Sequence, residues 1–160
     1  MDLGRRRPLG DYRGMEARLF APAGRVLLAV DLTTASDGAV EEGIRLAAVA
    51  GADLIVLSVV EPANLHLPGG RPRRVDQERD RLVAGVRKIV SRAQAAGVSS
   101  TYLIWEGDPA ESILEAAISE GAYVIVLGSR PRTNLRRMLL GSVSAQVTRK
   151  ASCEVVVVPA

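Results

Sequence analysis

Apolar and polar positions alternate between two periods along this chain. Arg25–Asp31, RVLLAVD, is a near-continuous apolar run ending on an acid, the pattern of a strand buried on both faces. Thr33, Thr34 and Ser36 follow as candidate N-caps. Val40, Ile44, Ala47 and Ala48 then give a helix one apolar face, and Gly51 closes it. Asp53–Val60, DLIVLSVV, is a second buried strand followed by Glu61-Pro62. Residues 62–74 are rich in Pro and Gly and read as a mobile loop. A long helix is expected over 75–96, with Leu82, Val86, Ile89, Val90 and Ala93 at helical spacing and Gly97 at its end.

Ser99–Trp105 mixes hydroxyl and apolar residues, which suits an edge strand. Asp108-Pro109-Ala110-Glu111 is a helix start: Asp108 caps, Pro109 suits the first helical position, and Glu111 can reach back. Ile113, Leu114, Ala117 and Ile118 form that helix's apolar face, with Gly121 as its stop. Tyr123–Leu127 is a fourth strand that ends at Gly128. A short helix is expected from Ser142 to about Lys150, and EVVVV (154–158) is the last strand, closed by Pro159. The order βαβαβαβαβ, with crossovers long enough for helices, predicts an open, doubly wound parallel sheet covered on both faces.

Composition fits that reading. The chain has 160 residues, of which 48% are apolar and only 3% aromatic, so its core is Val, Leu, Ile and Ala. Net charge is +3, and residues 1–20 alone carry five Arg against three acids. The remainder is nearly neutral, and no nucleic-acid motif or interleaved aromatics are present, so no nucleic-acid partner is expected. Residues 1–23 show no apolar period and read as a disordered tail, with Met1 and Met15 both candidate starts, preceding one domain over 24–160. The basic Arg5-Arg6-Arg7 is not followed by the apolar stretch of about 7–15 residues that an export signal needs. No apolar run approaches the ~18 residues of a membrane span, so no membrane association is expected. Cys153 is the single cysteine, which precludes an internal disulfide and makes a reducing cytoplasm the default location.

The chemistry concentrates between Val124 and Ser144, VIVLGSRPRTNLRRMLLGSVS. A strand runs into Gly128, a basic loop carries Arg130, Arg132, Arg136 and Arg137, and Gly141-Ser142 opens a helix with Val143 and Val147. Six basic and no acidic residues lie between Gly128 and Lys150. Glycines admit close backbone approach to an anion, and a helix N-terminus offers free N–H groups and positive dipole, so this arrangement is a candidate phosphate cradle. The plainer reading is an ordinary loop with a solvated basic face. In open parallel sheets ligands bind beyond the strand C-termini, and Asp31 and Gly128 both end strands. His66 has no second His or Cys in its loop, so a metal site is not expected there.

Over residues 24–160 the chain resembles the universal stress protein family. The stretches that carry the resemblance are AVDLTTAS (29–36), LSVVEP (57–62), GDPAESILEAA (107–117), VIVLGSR (124–130) and LLGSVSAQV (139–147). Nucleotide-binding members of the family have G-x-x-G-x(9)-G-[ST]. Here Gly128 and Gly141-Ser142 match at the right spacing, and Pro131 stands where the second glycine would be. The resemblance implies strand order 3-2-1-4-5 and a homodimer, which would form through the edge strand Val155–Val158. It also implies ATP, with Mg2+ bridging phosphates. In ATP-binding relatives Asp31 would lie beside the nucleoside, the backbone near Val59 would meet the adenine edge, and Gly128, Gly141, Ser142 and Ser144 would surround ribose and phosphates. Thr33, Arg130 and Val143 complete the expected nucleotide-binding set. Two further departures are Leu32, where relatives commonly have glycine, and Tyr123, where Asp is common.

Three functions follow from these residues. One is a stress-response regulatory module that binds adenine nucleotide, weakened by Pro131, which has no N–H and a fixed φ. Another is a dimeric interaction protein that binds no nucleotide. The third is a slow ATP hydrolase, although G-x-x-x-x-G-K-[ST] is missing and no Ser/His/Asp set or paired catalytic carboxylates can be assembled.

Overall fold

In the computed structural model, residues 24–61, 73–129 and 141–160 are described. The tail 1–23, the loop with His66, and Arg130, Pro131, Arg132, Arg136 and Arg137 lie outside them. The elements are β1 (Arg25–Ala29), a 3-10 turn (Thr34–Ser36), α1 (Asp37–Ala50), β2 (Asp53–Val60), α2 (Arg73–Ala95), β3 (Ser100–Glu106), α3 (Pro109–Ser119), β4 (Ala122–Ser129), α4 (Ser142–Lys150) and β5 (Glu154–Pro159). The five strands form one sheet in the order β3-β2-β1-β4-β5, every pairing parallel.

Successive strand residues point to opposite faces, and each face builds its own core. Val26, Leu28 and Val30 face one way and pack with Val40 and Ala47 of α1 and Val86, Ile89 and Ala93 of α2. Leu27 and Ala29 face the other way, toward Ile113, Ala116 and Ala117 of α3 and Val147 of α4. Leu27, Leu28, Leu54 and Leu57 are fully buried. Truncating any of them to alanine is expected to cost roughly 2–5 kcal/mol. β3 is an edge, and its residues between Thr101 and Glu106 are only half-buried.

The structure corrects several sequence expectations. β1 ends at Ala29, not Asp31: Val30 keeps one ladder hydrogen bond to Leu57, and the chain turns out of the sheet after it. None of Thr33, Thr34 and Ser36 caps α1; at the N-cap positions Thr33 and Ser36 the side chains make no cap hydrogen bond. The hydroxyls of Thr33 and Ser36 turn back to Asp31 instead. Ala48 is exposed, and Gly43 fills the buried stripe of α1 in its place, against Leu28. α2 begins at Arg73, inside the stretch expected to be loop. Ile118 is 72% exposed, since the buried stripe of α3 runs through Ala110, Ile113 and Ala117 and passes beside it. β4 does not stop at Gly128: Gly128 and Ser129 still pair with Val158 and Pro159.

Candidate functional site

The C-terminal ends of β1 and β4 are neighbours, with Ala29 opposite Leu127. Helices on opposite faces leave from these two strands, and a crevice opens between them, as expected where the winding reverses. A cavity of about 310 Å3 lies there. Asp31 and Gly128 line it from the ends of β1 and β4, and Gly141, Ser142, Val143 and Ser144 line it from the start of α4. Leu57 and Val59 of β2 supply an apolar wall.

Asp31 is placed by short-range hydrogen bonding. The pairing of β1 with β2 extends one residue past the strand, through Val30 N–H to Leu57 O at 2.9 Å. The buried Ser58 hydroxyl donates to Val30 O at 2.8 Å. The next residue, Asp31, then serves as acceptor for its own turn. Its Oδ1 receives Thr33 N–H at 2.9 Å, Thr33 Oγ1 at 2.7 Å and Ser36 Oγ at 2.5 Å. Thr33 does not line the cavity; it contributes by holding Asp31. Arg130 lies outside the described residues.

The start of α4 turns its first backbone N–H groups toward the cavity's rim. Gly141 takes the N-cap position, where no side chain caps the helix. Its carbonyl accepts from Ala145 N–H at 2.9 Å and from the Ser144 hydroxyl at 3.1 Å. Ser144 is buried and its proton is committed to the helix, whereas Ser142 is exposed at the rim. The N–H groups of the first turn have no partner further down the helix, so they and the helix dipole suit an anion. Gly141 has φ −61 and ψ 166, an extended conformation open to any residue. Its value as glycine is therefore the absence of a side chain, not its backbone freedom.

Sequence reasoning missed part of the wall. Pro109 and Ile113 of α3 close the apolar side, Ala35 and Ser36 form the floor near Gly128, and Glu61 stands at the end of β2. The signal was present, since Glu61 and Pro109 each follow closely on a strand C-terminus, where such sheets bind ligands. Arg81 of α2 does not line the cavity but lies near enough to Asp31 for their charges to interact. Its guanidinium is held above the ordinary arginine range, mainly by its paired hydrogen bonds to Glu78, and the charge of Asp31 contributes. Among the described residues no group of three His, Cys, Asp or Glu gathers to hold a metal ion.

The profile of the Universal stress protein family matches residues 23–159. The chain belongs to that family. The universal stress protein YxiE of Bacillus subtilis (strain 168) is 31% identical over 144 residues, covering 84% of this chain and 97% of the relative. The stress response protein NhaX of the same organism is 34% identical over 101 residues. That match covers 63% of this chain and 59% of NhaX. Among solved structures, universal stress protein UspA from Lactobacillus plantarum superposes with a TM-score of 0.74 at 25% identity. The superposition covers 86% of this chain and 99% of that one. A universal stress protein in complex with cAMP superposes with a TM-score of 0.66 at 26% identity, over 85% of this chain and 96% of that one. The parallel five-stranded sheet described above is thus that of the family, and no described helix is long and apolar enough to cross a membrane.

Proposed function

We propose that this universal stress protein is a cytoplasmic regulatory module that binds adenine nucleotide, ATP, in the crevice between β1 and β4. The observation that carries the reading is one cavity joining three kinds of surface. Leu57, Val59, Pro109 and Ile113 offer apolar contact for a base. Asp31 offers an acceptor for ribose hydroxyls. The N-terminus of α4, whose N-cap is a glycine, offers backbone donors to phosphate. The volume of about 310 Å3 is at the lower end of small-molecule sites, which suits a nucleoside with its phosphates reaching out along α4. The cAMP complex of a related structure supports the same ligand class. Mg2+ would be held chiefly by phosphate oxygens and water, as is usual for this ion.

Mass spectrometry of the gently purified protein tests the proposal directly. A detectable but sub-stoichiometric adenine nucleotide is the expected result, because binding weakened at Pro131 loses ligand during purification. A protein free of nucleotide that also gives no heat with millimolar ATP and Mg2+ would overturn it.

Pro131 favours a second reading, a dimeric stress-response protein that binds no nucleotide. Under both readings the homodimer forms through β5. That strand is a sheet edge, and Val155–Val158 are only half-buried. An apolar edge is a hazard unless paired or covered. Light scattering behind a sizing column is expected to give twice the chain mass, and a monomer at micromolar concentration would contradict the dimer.

A further inference from the structure

Leu32 adopts φ 59, and among the described residues no other non-glycine residue has a positive φ. The left-handed region is unfavourable for a bulky L-residue, and such strain persists only where the surroundings over-determine it. Here the surroundings are α2. Leu32 packs on the core layer beneath α1 and α2. A Cβ built on Gly85 would lie 2.3 Å from Leu32 Cδ1, 3.1 Å from Cδ2 and 3.2 Å from Cγ. Gly85 sits in the middle of a 23-residue helix, where glycine is a poor choice on propensity alone. The methyl group it lacks is the space that Leu32 fills.

Leu32 also links Asp31 to Thr33, and both the N–H and the hydroxyl of Thr33 bond to Asp31 Oδ1. The backbone conformation of Leu32 therefore sets where that N–H points. Arg81 lies one helical turn before Gly85 on the same face of α2, and its guanidinium feels the charge of Asp31. One face of α2 is turned to this loop.

We propose that Leu32, seated in the notch at Gly85, positions the Asp31 carboxylate, so that α2 belongs to the ligand site although Leu32 and Gly85 do not line the cavity. The ligand in question rests on the nucleotide reading above; the positioning of Asp31 does not. Leu32 is a positioning residue and acts through the turn. Gly85→Ala fills the notch and unseats Leu32. Leu32→Ala keeps the unfavourable φ and removes the side chain that holds it.

The test uses the full chain, with Asp31 followed by carboxyl-carbon NMR titration and ATP binding by calorimetry. Thr33 and Ser36 stabilise the charged carboxylate by hydrogen bonding, so loosening the turn raises its titration midpoint. Among the described residues, Arg81, whose charge interacts with Asp31, and Glu61, which shares its cavity, are ionisable groups facing it, and neither variant alters them. Gly85→Ala is expected to raise the Asp31 midpoint, because it loosens the hydrogen bonds that favour the charged form. It should weaken ATP binding about tenfold. Leu32→Ala should do the same, and adding Gly85→Ala to it should change nothing further. Packing without a positioning role would lower the melting temperature and leave the Asp31 midpoint where it was. An unchanged midpoint in folded Gly85→Ala overturns the proposal, and if that variant does not fold, an unchanged midpoint in Leu32→Ala does so. Absence of ATP binding in the wild type would remove the nucleotide reading, and the titration would still decide the role of Leu32.

Discussion

Gly128 and Ala35 approach so closely that a Cβ on Gly128 would lie 2.5 Å from the Ala35 carbonyl oxygen. The sequence suggests that Gly128 is glycine to admit an anion. The structure supplies a different and sufficient reason: the turn that carries Asp31 lies against the end of β4. Backbone cannot step aside as a side-chain tip can. Gly128→Ala is therefore expected to destabilise the fold by about 1–3 kcal/mol, as overpacking does. Urea denaturation checks this, and a variant as stable as the wild type would return the glycine to a role in ligand approach alone.

The capping residue of α3 gives a cleaner test of local structure. Asp108 Oδ1 accepts from Glu111 N–H at 2.9 Å, with Pro109 in the first turn. This is half of the capping box expected from the sequence: Asp108 caps, the Glu111 side chain makes no bond back to Asp108 N–H, and the cap starts the helix that brings Pro109 and Ile113 to the crevice. Asp108→Ala should cost about 1 kcal/mol. A loss below a few tenths would mean that tertiary packing alone fixes the start of α3.

How far the sequence could be read depended on whether the cause was local. The buried strands were legible because their apolar runs have no other explanation, and α4 begins and ends where Gly141-Ser142 and Lys150 suggest. Asp31, Val59, Gly128 and the Gly141–Ser144 segment do meet in one cavity. Thr33 and Ser36 were misjudged because a hydroxyl before a helix can serve either the helix or a neighbouring carboxylate. Only the path of the chain between Asp31 and Asp37 decides which. Ile118 was misjudged because a rotation of about 100° per residue separates it from Ala117, enough to move it off the buried stripe. Leu32 and Gly85 are 53 positions apart in the sequence, and nothing short of the fold brings them together.

The acid limb of stability has a contributor on α2. Arg81 donates to both oxygens of Glu78, at 2.6 and 3.0 Å. These hydrogen bonds hold the Glu78 carboxyl below its ordinary range, with the charge of Arg81 assisting and partial burial opposing. A carboxyl titrating lower in the folded than in the unfolded state stabilises the fold above the unfolded value, about 4.3. That stability is lost as pH falls through the folded value. Arg81 is largely exposed, so solvent limits the pair to about 0.2–0.5 kcal/mol. Glu78→Gln should lower stability by that amount at pH 7 and by almost nothing below the folded titration point. Equal losses at pH 7 and in acid would show that the carboxylate charge is not the cause.

The nucleotide reading turns on residue 131. Pro131 stands where nucleotide-binding relatives are expected to have glycine, and it has no N–H to offer a phosphate. A lost hydrogen bond to a charged group is worth roughly 1.5–3 kcal/mol. In affinity that is about ten- to a hundredfold. Pro131→Gly should therefore tighten ATP binding by about that factor in titration calorimetry. Gly141→Val is the complementary variant. Because Gly141 has an extended backbone, valine meets no backbone strain there, and as a poorer N-cap it should lower stability by only about 1 kcal/mol, leaving the variant folded. Its side chain would nevertheless stand at the mouth of the α4 N-terminus and should abolish ATP binding by keeping phosphate from the N–H groups. ATP binding that survives Gly141→Val would place the phosphates elsewhere. Silence from both the wild type and Pro131→Gly at millimolar ATP would leave the dimeric, nucleotide-free protein as the reading of this fold.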